Sequence, residues 1–319
     1  MGTRISSDGV EYQALNATSE VLAEISNTAV DFAGNLGKQI YWAPSEFYQP
    51  RKVYVYVIEL DYIPDDIPQS RIELLKYPQY RPEELRGSNA DSHGEKVINI
   101  LASLGFGVAR SKNIKIVPVR GTNAYPHDQR SSTEWKGALT AIANHFKEAT
   151  MKGVCHGVLN CSRALERIGN IEAAFKECVD AGIIVVGAAG NRAVNLDESD
   201  KSKWPLPEAH KDTILIGNLD AQGNVYTEVN GNDGSSYGAR VDYWVRGVNL
   251  KYKNLGPKVS GTSFACPVAA GVIAVMLSAG QVPSGKVADV RKKLDEWAVR
   301  SQGKGGQLKL LRNAPGLNK

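Results

Sequence analysis

Residues 256–277 read GPKVSGTSFACPVAAGVIAVML. A Gly-Thr-Ser turn opens an almost unbroken run of small and apolar residues, and such a run is at home only in a helix buried inside a domain. Ser263 then falls at the helix N-terminus, where free backbone N–H groups and the helix dipole favour negative charge. A hydroxyl at that place can attack a carbonyl and have the resulting oxyanion stabilised where it forms. Gly261 admits another chain closely, and Ala265, Ala269, Ala270 and Gly271 allow tight packing. Pro267 sits in the first turns, where its missing N–H costs least. The plainer reading of the stretch alone is a packed core helix whose first turn happens to contain a serine.

Working outward, three further segments carry polar groups at the ends of apolar runs. Ile183–Gly190 is a buried strand followed by glycine, and Asn191 ends it in a turn. Ser92-His93-Gly94-Glu95 precedes the apolar Val97, Ile98, Ile100 and Leu101, which places His93 at a helix start. Val53-Tyr-Val-Tyr-Val-Ile58 is β-branched and aromatic, a central strand, and Glu59-Leu60-Asp61 follows it directly. Strands at 53–58, 114–119, 155–160, 183–187 and 213–217 alternate with helices, among them one from a capping box at Ser131-x-x-Glu134 through Phe146, one over 168–181 and one over 284–298 with Val287, Val290, Leu294 and Trp297 on its buried side. The pattern predicts an α/β fold, a mostly parallel sheet with helices on both faces.

Gly261-Thr262-Ser263-x-Ala265-x-Pro267-x-x-Ala270-Gly271 resembles the nucleophile motif of the subtilisin-like serine proteases, the subtilases. The resemblance runs over roughly residues 50–314. Leu104–Arg110 is similar to the short connection of the proteinase K and fungal branch. The resemblance implies the three-layer fold of that family and a triad in the order acid, histidine, serine. Ser263 is then the nucleophile and His93 the base, with Asn191 in the oxyanion hole. Glu59 takes the acid position by register, where the family has aspartate followed by Ser or Thr and Gly. Asp61, two residues on along an extended strand, is a second candidate. Lys96 stands where the family has a second histidine. Val158–Ser162 resembles the family's strand whose free edge pairs with substrate backbone, which implies substrate contacts at Asn160 and Ser162. Arg163 and Arg192 are then expected at the cleft, Arg192 bordering the first specificity pocket, and two arginines there would favour acidic side chains. Ser236–Asp242 resembles the stretch that covers the core before the serine segment.

Bulk properties bound the rest. A length of 319 residues suits one large α/β domain or two small ones, with residues 1–48 expected to be an N-terminal extension and 49–319 the peptidase domain. One amphipathic helix is expected around 19–33, as a propeptide remnant or a packing segment. Residues 62–92 and 121–133 read as surface loops. A formal charge of +4 without a basic block argues against a nucleic-acid partner, and no apolar run reaches membrane-spanning length. The four cysteines lack metal-ligand spacing, and with no secretory leader they point to a reducing, cytoplasmic setting; a mature secreted form that has lost its leader is the alternative. No metal is expected at the calcium loop of bacterial subtilisins, and calcium elsewhere has no fixed spacing to search for. The expected function is peptide hydrolysis by a monomer acting on peptides or proteins. The alternative is a weak or inactive subtilase fold that binds peptides or a protein partner.

Overall fold

A computed structural model of the chain describes residues 3–5, 11–16, 22, 25–26, 40–44, 51–59, 66–75, 92–120, 130–228, 233–254 and 257–313. Three strands, β1 (Thr3–Ile5), β2 (Glu11–Asn16) and β3 (Ile40–Pro44), form a small antiparallel sheet in that order. The main sheet begins with β4 (Lys52–Glu59). It continues through β5 (Ile114–Arg120), β6 (Cys155–Cys161), β7 (Ile184–Ala188), β8 (Ile214–Leu219) and β9 (Tyr243–Arg246). A hairpin of β10 (Val299–Gly303) and β11 (Gly306–Leu310) closes it. The order across the sheet is β10-β11-β9-β8-β7-β6-β4-β5, parallel throughout except for the terminal hairpin pair.

The alternation of a strand decides which layer each helix joins. Val53, Val55 and Val57 face one way. They share a core with α1 (His93–Ala102), α4 (Thr262–Ser278) and α5 (Val287–Trp297). Tyr54, Tyr56 and Ile58 face the other way, against α2 (Arg130–Lys152) and α3 (Gly169–Asp180). Strands buried on both faces read as continuous apolar runs, which is why 53–58 and 183–187 carry so little polar punctuation. The result is the expected three-layer α/β/α arrangement. Helix α4 is buried along nearly its whole length, with Ser263 the only residue of its span that is not.

Topology then fixes where a ligand can sit. From β4 the chain first adds β5 on one side, and β6 follows on the other. A parallel sheet opens a crevice at the carboxyl ends of its strands where the winding direction reverses. Glu59 ends β4, Ser162 and Arg163 follow β6, and Asn191 follows β7, so all these segments meet at that crevice.

The structure differs from sequence-based expectation in several places. Helix α2 begins at Arg130 and runs to Lys152, so Ser131 lies inside it rather than capping it. Residues 66–75 are not a surface loop. Arg71 is buried and donates to the carbonyls of Ile114, Ala102 and Ala109. Ile67 and Leu75 are buried too, Ile67 in the core shared by α1 and α4 and Leu75 in the core on the other face of the sheet. A long polar side chain can be buried in this way when backbone acceptors satisfy its fork. Burial still holds the Arg71 guanidinium down, to about 10. The tail beyond 301 pairs as the β10–β11 hairpin, and the strands β1–β3 carry no periodicity strong enough to have been expected. Of the helix expected at 19–33, Leu22, Ile25 and Ser26 are described; Leu22 and Ile25 are fully buried in the core shared by α1 and α4, and Ser26 is buried with its hydroxyl 3.2 Å from Asn313 Oδ1. Asn313 N–H donates to the Ile25 carbonyl. The rest of that helix, Asp61, and most of the loop at 121–133 lie outside the described residues.

Candidate active site

Three neighbouring chain ends deliver the polar groups. At the first, Glu59 is the last residue of β4 and its side chain is 2% exposed. One carboxylate oxygen, Oε2, accepts from His93 Nδ1 at 2.9 Å and from Arg163 Nε at 2.9 Å. Among the described residues the other oxygen, Oε1, is buried without a partner. Glutamate reaches one methylene further than aspartate would, and that reach places a single oxygen between a histidine and an arginine.

His93 opens α1, with Ser92 as its N-cap: Ser92 Oγ accepts the Glu95 N–H at 3.1 Å. The cap fixes the first turn and with it the backbone of His93. The ring packs on Phe264 with centroids 5.3 Å apart, and Phe264 directly follows Ser263. A histidine with Nδ1–H donated to a carboxylate leaves Nε2 as an acceptor. Lys96, on the next turn, lies with its ammonium 6.0 Å from the Tyr252 ring centre.

Ser263 is the second residue of α4, and its N–H is among the first-turn amides that an α-helix leaves without an internal acceptor. The residue before the helix, Gly261, holds φ at 142°, and a Cβ there would meet the Asn191 amide nitrogen at 3.4 Å. Asn191 is oriented without ambiguity. Its Oδ1 accepts from the Thr262 N–H and the Thr262 hydroxyl, both at 2.9 Å, so its NH₂ must be the free end. The helix N-terminus and a fixed amide donor thus converge beside one hydroxyl, which is the arrangement an oxyanion requires.

Beside Ser263 and Asn191 opens a cavity of about 290 Å³. Ser162, Ala164, Ala188, Gly190, Pro205, Leu206 and Pro207 form much of its wall, with Arg192 and Glu208 supplying charge. Glu208 is 3% exposed, and Arg192 Nη2 reaches both of its oxygens, at 3.1 and 3.4 Å. Burial raises the Glu208 carboxyl above its ordinary value, against the opposing pull of Arg192 and Arg240.

These contacts revise two expectations. Arg163 turns to Glu59 instead of presenting a free charge to the cleft, and Arg192 is matched by Glu208. The preference for acidic side chains rested on two unmatched arginines, and the geometry removes that basis. Asn160 is fully buried in β6 and donates to Ser162 Oγ at 3.0 Å. Strand β6 is itself paired on both sides, by β4 and β7. The Asn160 side chain and the strand edge are therefore closed to a substrate, and only the continuation beyond the strand, where Ser162 and Ala164 line the cavity, is open to one.

Phe264, Thr262 and Glu208 were not singled out from the sequence. Thr262 could have been, since it sits inside the Gly-Thr-Ser turn. Glu208 follows Asn191 by a Pro-rich stretch with no periodicity, and its place in the cavity is a tertiary fact. Burial pushes the Cys161 thiol up to about 12 and that of Cys266 well above its ordinary value, which keeps both protonated and unreactive. Among the described residues no group of three or more His, Cys, Asp or Glu side chains is arranged to hold a metal ion.

Comparison with known proteins gives one consistent picture. A model of the subtilase family matches residues 25–312. Subtilisin-like protease 10 of Arthroderma otae is 27% identical over 229 residues, 70% of this chain and 53% of that protein. Subtilisin-like protease 5 of Trichophyton tonsurans is 28% identical over 239 residues, 72% of this chain and 54% of that one. The chain thus spans about half the length of the curated relatives it matches. The crystal structure of a cold adapted subtilisin-like serine proteinase superposes with a TM-score of 0.66 at 19% identity, over 92% of this chain and 97% of the other, and so shares the fold.

Proposed function

The chain belongs to the subtilase family, and from that membership we propose that it is a serine endopeptidase working through Ser263, His93 and Glu59. Peptide substrate lies along Ser162–Ala164, with its scissile carbonyl over Ser263. His93 Nε2 takes the hydroxyl proton as Ser263 Oγ attacks. Glu59 holds the Nδ1–H tautomer and stabilises the imidazolium that forms. The tetrahedral oxyanion receives hydrogen bonds from the Ser263 N–H and the Asn191 amide. His93 then returns the proton to the leaving amine. In the second half it deprotonates a water that attacks the acyl-serine, and collapse releases the acid product and restores Ser263.

The observation that carries this reading is the 2.9 Å Glu59–His93 contact at the mouth of the crevice where α4 begins. It supports glutamate in the acid role, since the carboxylate is buried, directed and in contact with the ring nitrogen that must carry hydrogen. Labelling with a fluorophosphonate probe tests it. The unaltered protein should label, Ser263→Ala should not, and Glu59→Ala should label far more slowly. A folded protein that never labels would remove the endopeptidase reading, and labelling indifferent to Glu59 would remove the triad assignment.

A further inference from the structure

The cavity beside Ser263 has an unusual charge arrangement for a small site: one carboxylate embedded in its wall and one guanidinium at its rim. Glu208 is 3% exposed, whereas the Arg192 side chain that neutralises it is 54% exposed. Arg192 uses one nitrogen for both carboxylate oxygens, so the two planar groups do not form the paired, two-nitrogen contact that makes such bridges rigid. Apart from that pair the lining is largely apolar, with Ala164, Ala188 and Leu206 among its walls. At about 290 Å³ the cavity is at the small end of ligand pockets, room for one long side chain.

We propose that this cavity takes the side chain next to the scissile carbonyl and that Glu208 makes it selective for lysine or arginine. The inference rests on the endopeptidase reading above. An incoming cation replaces Arg192 on Glu208, and Arg192, already more than half in water, swings outward. The buried carboxylate keeps one positive partner throughout, so no unpaired charge is created. An apolar side chain has to share the cavity with an ion pair it cannot satisfy. A glutamate would bring a second negative charge against Glu208, with a single guanidinium between them. The three classes therefore rank basic, then apolar, then acidic.

Fluorogenic peptides identical except for Lys, Arg, Leu or Glu before the scissile bond give the test. Lys and Arg should exceed Leu in kcat/KM by about tenfold or more, with Glu slowest. Glu208→Gln, which keeps the shape and frees only an already exposed arginine, should bring Lys and Leu to within about threefold of each other. A second arm needs no catalysis: benzamidine binding to the Ser263→Ala protein, followed by calorimetry, should weaken about tenfold or more when Glu208→Gln is added. Leu or Glu cleaved as fast as Lys, or a Lys preference that survives Glu208→Gln, overturns the proposal while fluorophosphonate labelling leaves the endopeptidase reading standing. Should labelling and cleavage both fail, the endopeptidase reading falls. The benzamidine arm then decides the cavity by itself, and binding indifferent to Glu208 overturns the cation site.

Discussion

Replacing Glu59 by aspartate keeps the carboxylate, yet the structure requires that it impair this protein. Glu59 Oε2 stands 2.9 Å from His93 Nδ1 and 2.9 Å from Arg163 Nε. Deleting one methylene withdraws the carboxylate by about 1.5 Å on a fixed backbone. Both contacts then open from 2.9 Å to roughly 4 Å, beyond hydrogen-bonding range. Strand β4 cannot easily follow, because it is bonded to β5 and β6 on its two sides right up to Glu59 and Val57. A displacement of this size at a catalytic group costs about a hundredfold in rate. Glu59→Gln is the complementary change, since it keeps length and removes charge. It leaves the imidazolium of the transition state facing Arg163 without the intervening anion, and should cost about 10³–10⁴-fold. The measurement is kcat/KM on a fluorogenic peptide, normalised by active-site titration, with thermal unfolding as a check on folding. Glu59→Asp retaining activity within about threefold would refute the claim that carboxylate reach is set by the fixed strand.

Three further outcomes follow from other contacts. Asn191→Ala removes the free amide donor and leaves the Thr262 N–H without its acceptor, so kcat should fall about 10²–10³-fold with little change in KM. Gly261→Ala places a side chain at φ 142° against the Asn191 amide, and denaturant unfolding should register a loss of about 1–2 kcal/mol together with reduced turnover. Glu208 sets a pH dependence. Its carboxyl is held above the ordinary 4.5, so the folded protein binds that proton more tightly than the unfolded chain, and its contribution to stability is lost as pH rises through that titration. In the Ser263→Ala background, the melting temperature of Glu208→Gln relative to its parent should therefore be higher at pH 7 than at pH 4, and a difference of the opposite sign would contradict the burial argument.

Much of the fold was legible because its parallel strands are buried on both faces. A run such as Val53–Ile58 has few other ways to be satisfied, and the same holds for α4. The placement of Ser263, His93 and Asn191 was legible for a related reason: each sits where an apolar element begins or ends, and the ends of elements are marked in sequence by Gly, Ser or Asn. What was not legible depends on long-range partners. Arg71 reads as a loop cation until three carbonyls from separate segments surround it. Arg163 follows a strand end and reads as exposed, but its partner Glu59 is 104 residues away. The β10–β11 hairpin alternates only at Leu308 and Leu310 among otherwise polar residues, too short a pattern to announce a strand that pairs with β9. Glu208 shows the limit most clearly. Nothing in its neighbourhood separates a surface glutamate from one enclosed in the cavity wall, and only the packing of 205–208 against the ends of β6 and β7 makes the difference.

The two departures nearest the triad are best understood together. Taken singly, glutamate for aspartate is too long and arginine after Ser162 is a stray charge. In the structure they meet on one oxygen. The longer acid reaches outward to a point that His93 and Arg163 share, and Arg163 gives the buried carboxylate a cation that a neutral imidazole does not supply. A carboxylate only 2% exposed needs a cation close by, and Arg163 supplies it at 2.9 Å. Independent decay of an unused site has no reason to place a compensating charge there, and it has no reason to keep Thr262 locking Asn191 with its amide free. Glu59 and Arg163 are on this account one coupled pair, and its cost falls on Arg163, which is turned from the cleft and leaves Glu208 and Arg192 as the charged groups lining the cavity.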